Sequence, residues 1–336
     1  MATHPLRIAV VGAGHLGRWH AQQLAGLPEA RLAALCDPDP SRQTLADQYD
    51  CPLVADYRTL DPADIDGVSI AAPTTLHHEV AAWFLERGVP CFVEKPMAAT
   101  SQQARELCDL ADSKQTILQI GHIERFNPAL RAVAAEIHDP VFLEAVRVSP
   151  YPFRATDVGV VLDLMIHDLE IIMSLVGKEI REVRAYAMPI FSQSEDLAAA
   201  WIEFEGGACA QIKAVRTALR SERRLRVYQK DAYIEVDFME RAARIVRRSE
   251  RLLRGEIKPS DLGPQDLGGL SPLDFVQHQL VSVENPPVDP EANPLRDELE
   301  AFVTSIRTGT PPRVGGGDGL RAMVAAEKVR AAAGLE

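Results

Sequence analysis

A chain of 336 residues is long enough for two domains and a sizeable core. Its formal charge of −12 makes a nucleic-acid backbone an unfavourable partner. No apolar run reaches the roughly eighteen residues of a membrane span, and the N-terminus shows no signal-type apolar stretch.

The five cysteines form no C-x-x-C pair, so buried thiols in a reduced, cytoplasmic compartment are expected. Among the nine histidines, His15, His20, His77 and His78 lack a coherent set of cysteine or carboxylate neighbours, and no metal is expected.

Residues 6–17, LRIAVVGAGHLG, read as an apolar strand running into G-x-G-x-x-G at the start of a helix. Gly12 permits the tight turn, Gly14 lets the backbone approach a pyrophosphate, and Gly17 lets the helix pack closely on the sheet. His15 and Leu16 lie in the same loop-to-helix segment. The phosphates would meet free N–H groups at the positive end of that helix. A second apolar run, residues 31–36, ends at Asp37. A carboxylate there accepts the ribose hydroxyls of NAD and repels a 2′-phosphate. NAD is therefore the expected cofactor, while Arg42 leaves NADP open because a guanidinium neutralises a phosphate.

The βαβ rhythm continues. Residues 67–72 form a short strand stopping at Pro73-Thr74, residues 78–88 a helix, and residues 89–93 a strand ending in Glu94-Lys95-Pro96. This alternation predicts a mainly parallel sheet with helices on both faces. Ligands of such sheets bind beyond the carboxyl ends of the strands, where Gly12, Asp37, Pro73 and Lys95 converge. Thr74, His77 and Glu94 are expected beside them, although strand-end capping and loop support account equally well for His77.

The composition changes after residue 121. From residue 141 alternating runs with a Glu205-Gly206-Gly207 turn predict hairpins of an open, mainly antiparallel sheet. The division expected is residues 1–121 as a Rossmann-type nucleotide domain and residues 122–336 as an α+β substrate and oligomerisation domain. Residues 159–176 read as a helix covering one face of the sheet, the other meeting a partner subunit in a homodimer or homotetramer. Residues 255–272 and 284–294 read as ordered loops. Helices are expected at 295–306 and 319–333, packing back on the body.

The candidate chemistry lies at Lys95 and in residues 163–168, DLMIHD. Asp163 and His167 are four apart and would share a helix face. Asp163 could then fix the imidazole tautomer and leave the other nitrogen to remove a hydroxyl proton. A helical Asp-His pair that merely bridges two elements is the plainer alternative.

Taken together, GAGHLG, APTTLHHEV, FVEKP, GHIERFNP and DVGVVLDLMIHDLE resemble the Gfo/Idh/MocA family of oxidoreductases over nearly the whole chain. The resemblance implies NAD-dependent oxidation of a sugar hydroxyl, with Lys95 between nicotinamide and substrate and with Asp163 and His167 as the catalytic pair. The common family form has glycine two places after the Asp, where this chain has Met165, so a local difference in backbone or pocket is expected. Within the family, GHIERFNP and SPYPFR resemble the branch that oxidises UDP-N-acetylglucosamine at its 3-hydroxyl. That branch supplies a sugar aminotransferase in making lipid A precursors. Arg125, Asn127, Tyr151 and Arg154 would serve such a substrate, guanidinium groups on a diphosphate and the amide and phenol on sugar hydroxyls. Oxidation of another nucleotide sugar, a free sugar or inositol stays open, as does a non-catalytic NAD-binding sensor or scaffold.

Overall fold

The computed structural model of the chain describes residues 4–153 and 158–335. In the first half, strands β1 (Leu6–Val11), β2 (Ala30–Cys36), β3 (Leu53–Val54), β4 (Gly67–Ile70), β5 (Cys91–Glu94) and β6 (Leu118–Gly121) form one sheet in the order β3-β2-β1-β4-β5-β6. Every pairing in it is parallel. Helices α1 (His15–Ala25), α2 (Gln43–Gln48), α3 (Thr74–Glu86) and α4 (Ser101–Lys114) make the crossovers.

Successive side chains of a strand point to opposite faces. Ile8 and Val10 therefore pack with Leu24, Phe92 and Phe302 on one side, while Ala9 and Val11 join Val68, Phe84 and Leu107 on the other. The order reverses between β1 and β4, the switch point at which open α/β sheets bind ligands.

After α5 (Pro128–Val133) the chain builds a second sheet of eight strands. These are β7 (Phe142–Val148), β8 (Ile180–Met188), β9 (Leu197–Phe204), β10 (Cys209–Val215), β11 (Glu222–Tyr228), β12 (Ala232–Asp237), β13 (Ala242–Arg248) and β14 (Val281–Glu284). Only the central β7 and β10 are parallel; the other pairings are antiparallel. The turn between β9 and β10 holds Gly206 and Gly207 at φ +89° and +92°, as the sequence reading expects of a glycine hairpin. The sequence reading, with loops at 255–272 and 284–294, assigns no element to α7 (Glu250–Leu253), α8 (Pro272–Phe275) or the edge strand β14. β14 is only four residues long, too short to show an alternating pattern.

One face of this sheet is apolar at every second position and lies under α6 (Ile166–Val176). The two C-terminal helices secure both halves. α9 (Pro294–Thr308) puts Leu299, Phe302 and Val303 into the core of the first sheet. α10 (Gly316–Ala332) gives Ala322 and Met323 to the first half and Ala325, Ala326 and Val329 to the second. Among the described residues no helix is long and apolar enough to cross a membrane. All five cysteines are free thiols.

Candidate active site

The cofactor cleft is shaped by backbone contacts that only glycine tolerates. Gly12 has φ +90°, and a Cβ there would lie 2.6 Å from the Ala72 nitrogen. A Cβ on Gly17 would sit 1.7 Å from the Gly12 oxygen. Gly14, by contrast, faces open space, so a bound group can come close to its backbone. The first turn of α1 has neither an acidic residue nor a side-chain cap, which leaves its N–H groups and the positive helix end available to an anion.

The cleft of about 730 Å³ beyond these glycines is also walled by His15, Leu16, Asp37, Pro73, Tyr57 and Arg58. Asp37 accepts the Ala13 N–H at 2.8 Å and the Asp39 N–H at 2.9 Å, one on each oxygen. An ionised carboxylate offers about four acceptor positions, so lone pairs remain for ribose hydroxyls. Glycine cradle, helix end and fixed carboxylate together fit NAD.

Four expected cofactor residues stand elsewhere. Arg42 is paired with Asp39 at 3.2 Å and lies off the cleft wall. The guanidinium in the wall is Arg58, stacked 4.6 Å from the Tyr57 ring centroid and bonded to Glu79. Its segment follows the two-residue β3, which shows no strand pattern, so nothing marked Arg58 as a strand-end residue. Thr74 opens α3 behind Pro73 and is not part of the wall. His77 is buried, with Nδ1 2.8 Å from the Pro96 carbonyl and Nε2 2.8 Å from the Ala72 carbonyl, so it ties two strand-end loops together. Glu94 turns inward to His20 and to the Lys95 N–H.

Lys95 projects from the end of β5 across to the second half of the chain. Its Nζ donates to the Asp163 main-chain oxygen at 2.8 Å and to Asp163 Oδ1 at 3.2 Å. This corrects the expectation that Asp163 orients His167. Residues 161–165 form a π turn, whose longer repeat displaces the four-residue register, and a cation outcompetes a neutral ring for the carboxylate. The His167 Nδ1 is buried without a partner, and its ring meets that of His122 edge-on at 6.5 Å.

Burial above all, then the positive charges of Lys95 and Arg147, holds His167 well below the usual imidazole range. The ring is therefore neutral at pH 7 and able to accept a proton. The same burial, with Lys95, pushes His122 down to about 3.

Of the expected substrate residues, Asn127 and Arg125 are held by buried partners. Asn127 caps α5 through the Ala129 N–H and donates to Glu124 and to the Phe238 carbonyl, so it is not free to hold a sugar hydroxyl. Arg125 pairs with Glu170 at 2.7 Å, whose carboxyl burial raises to about 7. Tyr151 packs edge-on against Phe153 and Phe191. Arg154 lies outside the described residues.

Arg147, from the centre of the sheet, grips both oxygens of Asp168 at 2.9 Å and reaches Glu124 at 2.7 Å, fixing the helix that carries His167. Sequence reading missed Arg223. It stands opposite Arg147 on β11, its side chain is 48% exposed, and its charge reaches His167. Only the sheet register brings it to the site, and no local motif marks it.

Comparison with known proteins agrees with this geometry. Residues 6–122 match the oxidoreductase family description with an NAD-binding Rossmann fold, and residues 130–235 match the Gfo/Idh/MocA C-terminal domain. The chain is 32% identical to UDP-N-acetylglucosamine 3-dehydrogenase of Acidithiobacillus ferrooxidans over 97% of each chain. A solved structure of that enzyme superposes with a TM-score of 0.85 over the same share of both chains. Scyllo-inositol 2-dehydrogenase (NAD(+)) of Bacillus subtilis is 30% identical over 64% of this chain and 68% of its own. Inositol 2-dehydrogenase of Rhizobium meliloti is 27% identical over 96% and 95%. The chain belongs to the Gfo/Idh/MocA family and is an NAD-dependent oxidoreductase.

Proposed function

We propose that this protein oxidises the 3-hydroxyl of UDP-N-acetylglucosamine to a ketone. Bound NAD supplies the hydride acceptor. Neutral His167 removes the hydroxyl proton, and the Lys95 ammonium stabilises the oxygen as negative charge develops on it. Asp163 anchors the Lys95 amine and through it joins the two halves of the site. The observation that carries the reading is this contact of Lys95 with the π turn, in a chain alike over 97% of its length to a dehydrogenase of that sugar nucleotide.

Residues 1–121 would serve as the NAD domain and residues 122–336 as the substrate domain. Arg223 is the described guanidinium best placed for the diphosphate, and Arg154 and Tyr151 are proposed to complete that pocket. The helix-free face of the second sheet presents Phe142 against Trp201 and Tyr228, with ring centroids 5.7 Å apart, and a second copy of the chain is proposed to cover it. A 3-keto product would be a suitable carbonyl for an aminotransferase.

The likeness to inositol dehydrogenases supports a second reading, a free polyol as substrate. Such a ligand needs no cation for a diphosphate. A panel of UDP-sugars and free polyols assayed with NAD separates the two, and Arg223→Ala should weaken only UDP-sugar use.

A further inference from the structure

His20 lies on α1 three positions beyond Gly17, and its side chain is completely buried. Its Nδ1 is 2.8 Å from Ser69 Oγ on β4, and its Nε2 is 3.0 Å from Glu94 Oε1 on β5. The other oxygen of Glu94 accepts the Lys95 N–H at 3.1 Å. Gly121 on β6 closes the remaining side, since a Cβ there would come within 2.9 Å of the Glu94 carboxyl carbon. The carboxylate is thus confined by three elements of the sheet layer.

Serine, histidine and glutamate in this order have the composition of a hydrolytic triad. With both Ser69 and His20 at 0% exposure, no substrate reaches the hydroxyl, and nucleophilic chemistry is excluded. The connection leads instead from α1, which opens at the cofactor cleft, through Glu94 to the backbone of Lys95.

We propose that His20 and Glu94 are positioning residues for Lys95, an inference that rests on the reading of Lys95 as the catalytic amine. The physical reason is competition for a cation. While His20 holds Oε1 and the Lys95 N–H holds Oε2, the Glu94 carboxylate is occupied and the Lys95 amine extends to Asp163. Without His20, a buried oxygen loses its partner, which is unfavourable enough to turn the carboxylate toward the nearest ammonium. Lys95 Nζ is then drawn inward, away from the reacting hydroxyl.

The test labels the amines of the intact protein with 1-fluoro-2,4-dinitrobenzene and measures each lysine by peptide mass spectrometry, so it needs no substrate. Exposed Lys213 and Lys230 serve as internal references. His20→Ala should slow labelling of Lys95 about threefold or more against the references, as the freed Glu94 carboxylate pairs with and withdraws the amine, and adding Glu94→Ala to that variant should abolish the slowing. Glu94→Gln keeps an acceptor for the Lys95 N–H and a donor for the ring, and should label within about twofold of wild type.

In parallel, turnover of UDP-N-acetylglucosamine should fall roughly tenfold or more in His20→Ala, with the Kd for NAD changed less than about twofold. His20→Leu, which removes the bond to Glu94 while filling the buried volume, serves if the alanine protein fails to fold. Unchanged Lys95 labelling in folded His20→Ala or His20→Leu overturns the inference and leaves a packing role. Lys95→Ala separates the two levels: wild-type turnover in that variant removes the catalytic reading itself, whereas its loss alongside unchanged His20 variants removes only the positioning claim.

Discussion

Lys95 Nζ lies 2.8 Å from the main-chain oxygen of Asp163, so the carboxyl end of β5 is bonded directly to the π turn of the second half. If this contact sets the proton-transfer geometry, Lys95→Ala and His167→Ala should each reduce turnover by about 10²- to 10⁴-fold while NAD still binds. Asp163→Asn keeps an oxygen for the amine and should lose only about tenfold. Steady-state rates combined with NAD titration of protein fluorescence check all three.

The glycines of the cleft divide into two kinds. Gly17→Ala forces a Cβ to within 1.7 Å of the Gly12 oxygen and should destabilise the fold by about 1–3 kcal/mol even without cofactor. Gly14→Ala meets no atom within 4 Å, so its Tm without NAD should match wild type while NAD affinity falls. Thermal melts with and without NAD distinguish a packing glycine from a ligand-facing one.

Asp37→Ala removes both the carboxylate proposed to accept the ribose hydroxyls and the partner of two loop N–H groups. NAD affinity should fall roughly tenfold, with a smaller loss for NADP because the repulsion of a 2′-phosphate disappears too. The ratio of kcat/KM for NAD to that for NADP gives the answer, and an unchanged ratio would remove Asp37 from cofactor selection.

The first sheet was legible because its strands are apolar runs ended by glycine, aspartate or proline, and the glycine loop and EKP stand at such ends. Short elements such as β3 and β14 were not, since two to four residues carry no periodicity. At the site, Lys95 and His167 could be read from motifs, but their partners could not. Asp163 turns to a lysine 68 positions away, and Arg223 arrives through the register of β11 with β7. Asn127 looks like a ligand residue in sequence because an N-cap and a sugar contact call for the same carboxamide.

Stability in acid should depend on a knot beside the π turn. Asp196 accepts the N–H groups of Ile190, Phe191 and Ser192 and the Arg216 guanidinium, which also donates to the Val158 carbonyl. Burial alone would raise the Asp196 carboxyl, yet the Ser192 N–H, Arg216 and the other N–H donors outweigh it and hold the group well below the usual carboxylate range. Its contribution is therefore full above the unfolded value of about 3.9 and is lost as pH falls through the lower folded value. Asp196→Ala should cost about 3–5 kcal/mol at pH 7, because it breaks a buried ion pair with Arg216 and removes the acceptor of three loop N–H groups. It should also flatten the acid limb of the stability curve, measured by urea unfolding from pH 7 down to about pH 3.

The central claim is a pairing of chemistry with substrate, and one measurement addresses it directly. Purified protein is incubated with NAD and UDP-N-acetylglucosamine, NADH is followed by absorbance, and the carbon bearing the new carbonyl is identified by NMR. The account predicts one NADH formed per 3-keto nucleotide sugar produced, with both absent in His167→Ala. NADH formation from inositol or free sugars alone, or oxidation at another carbon, would contradict it.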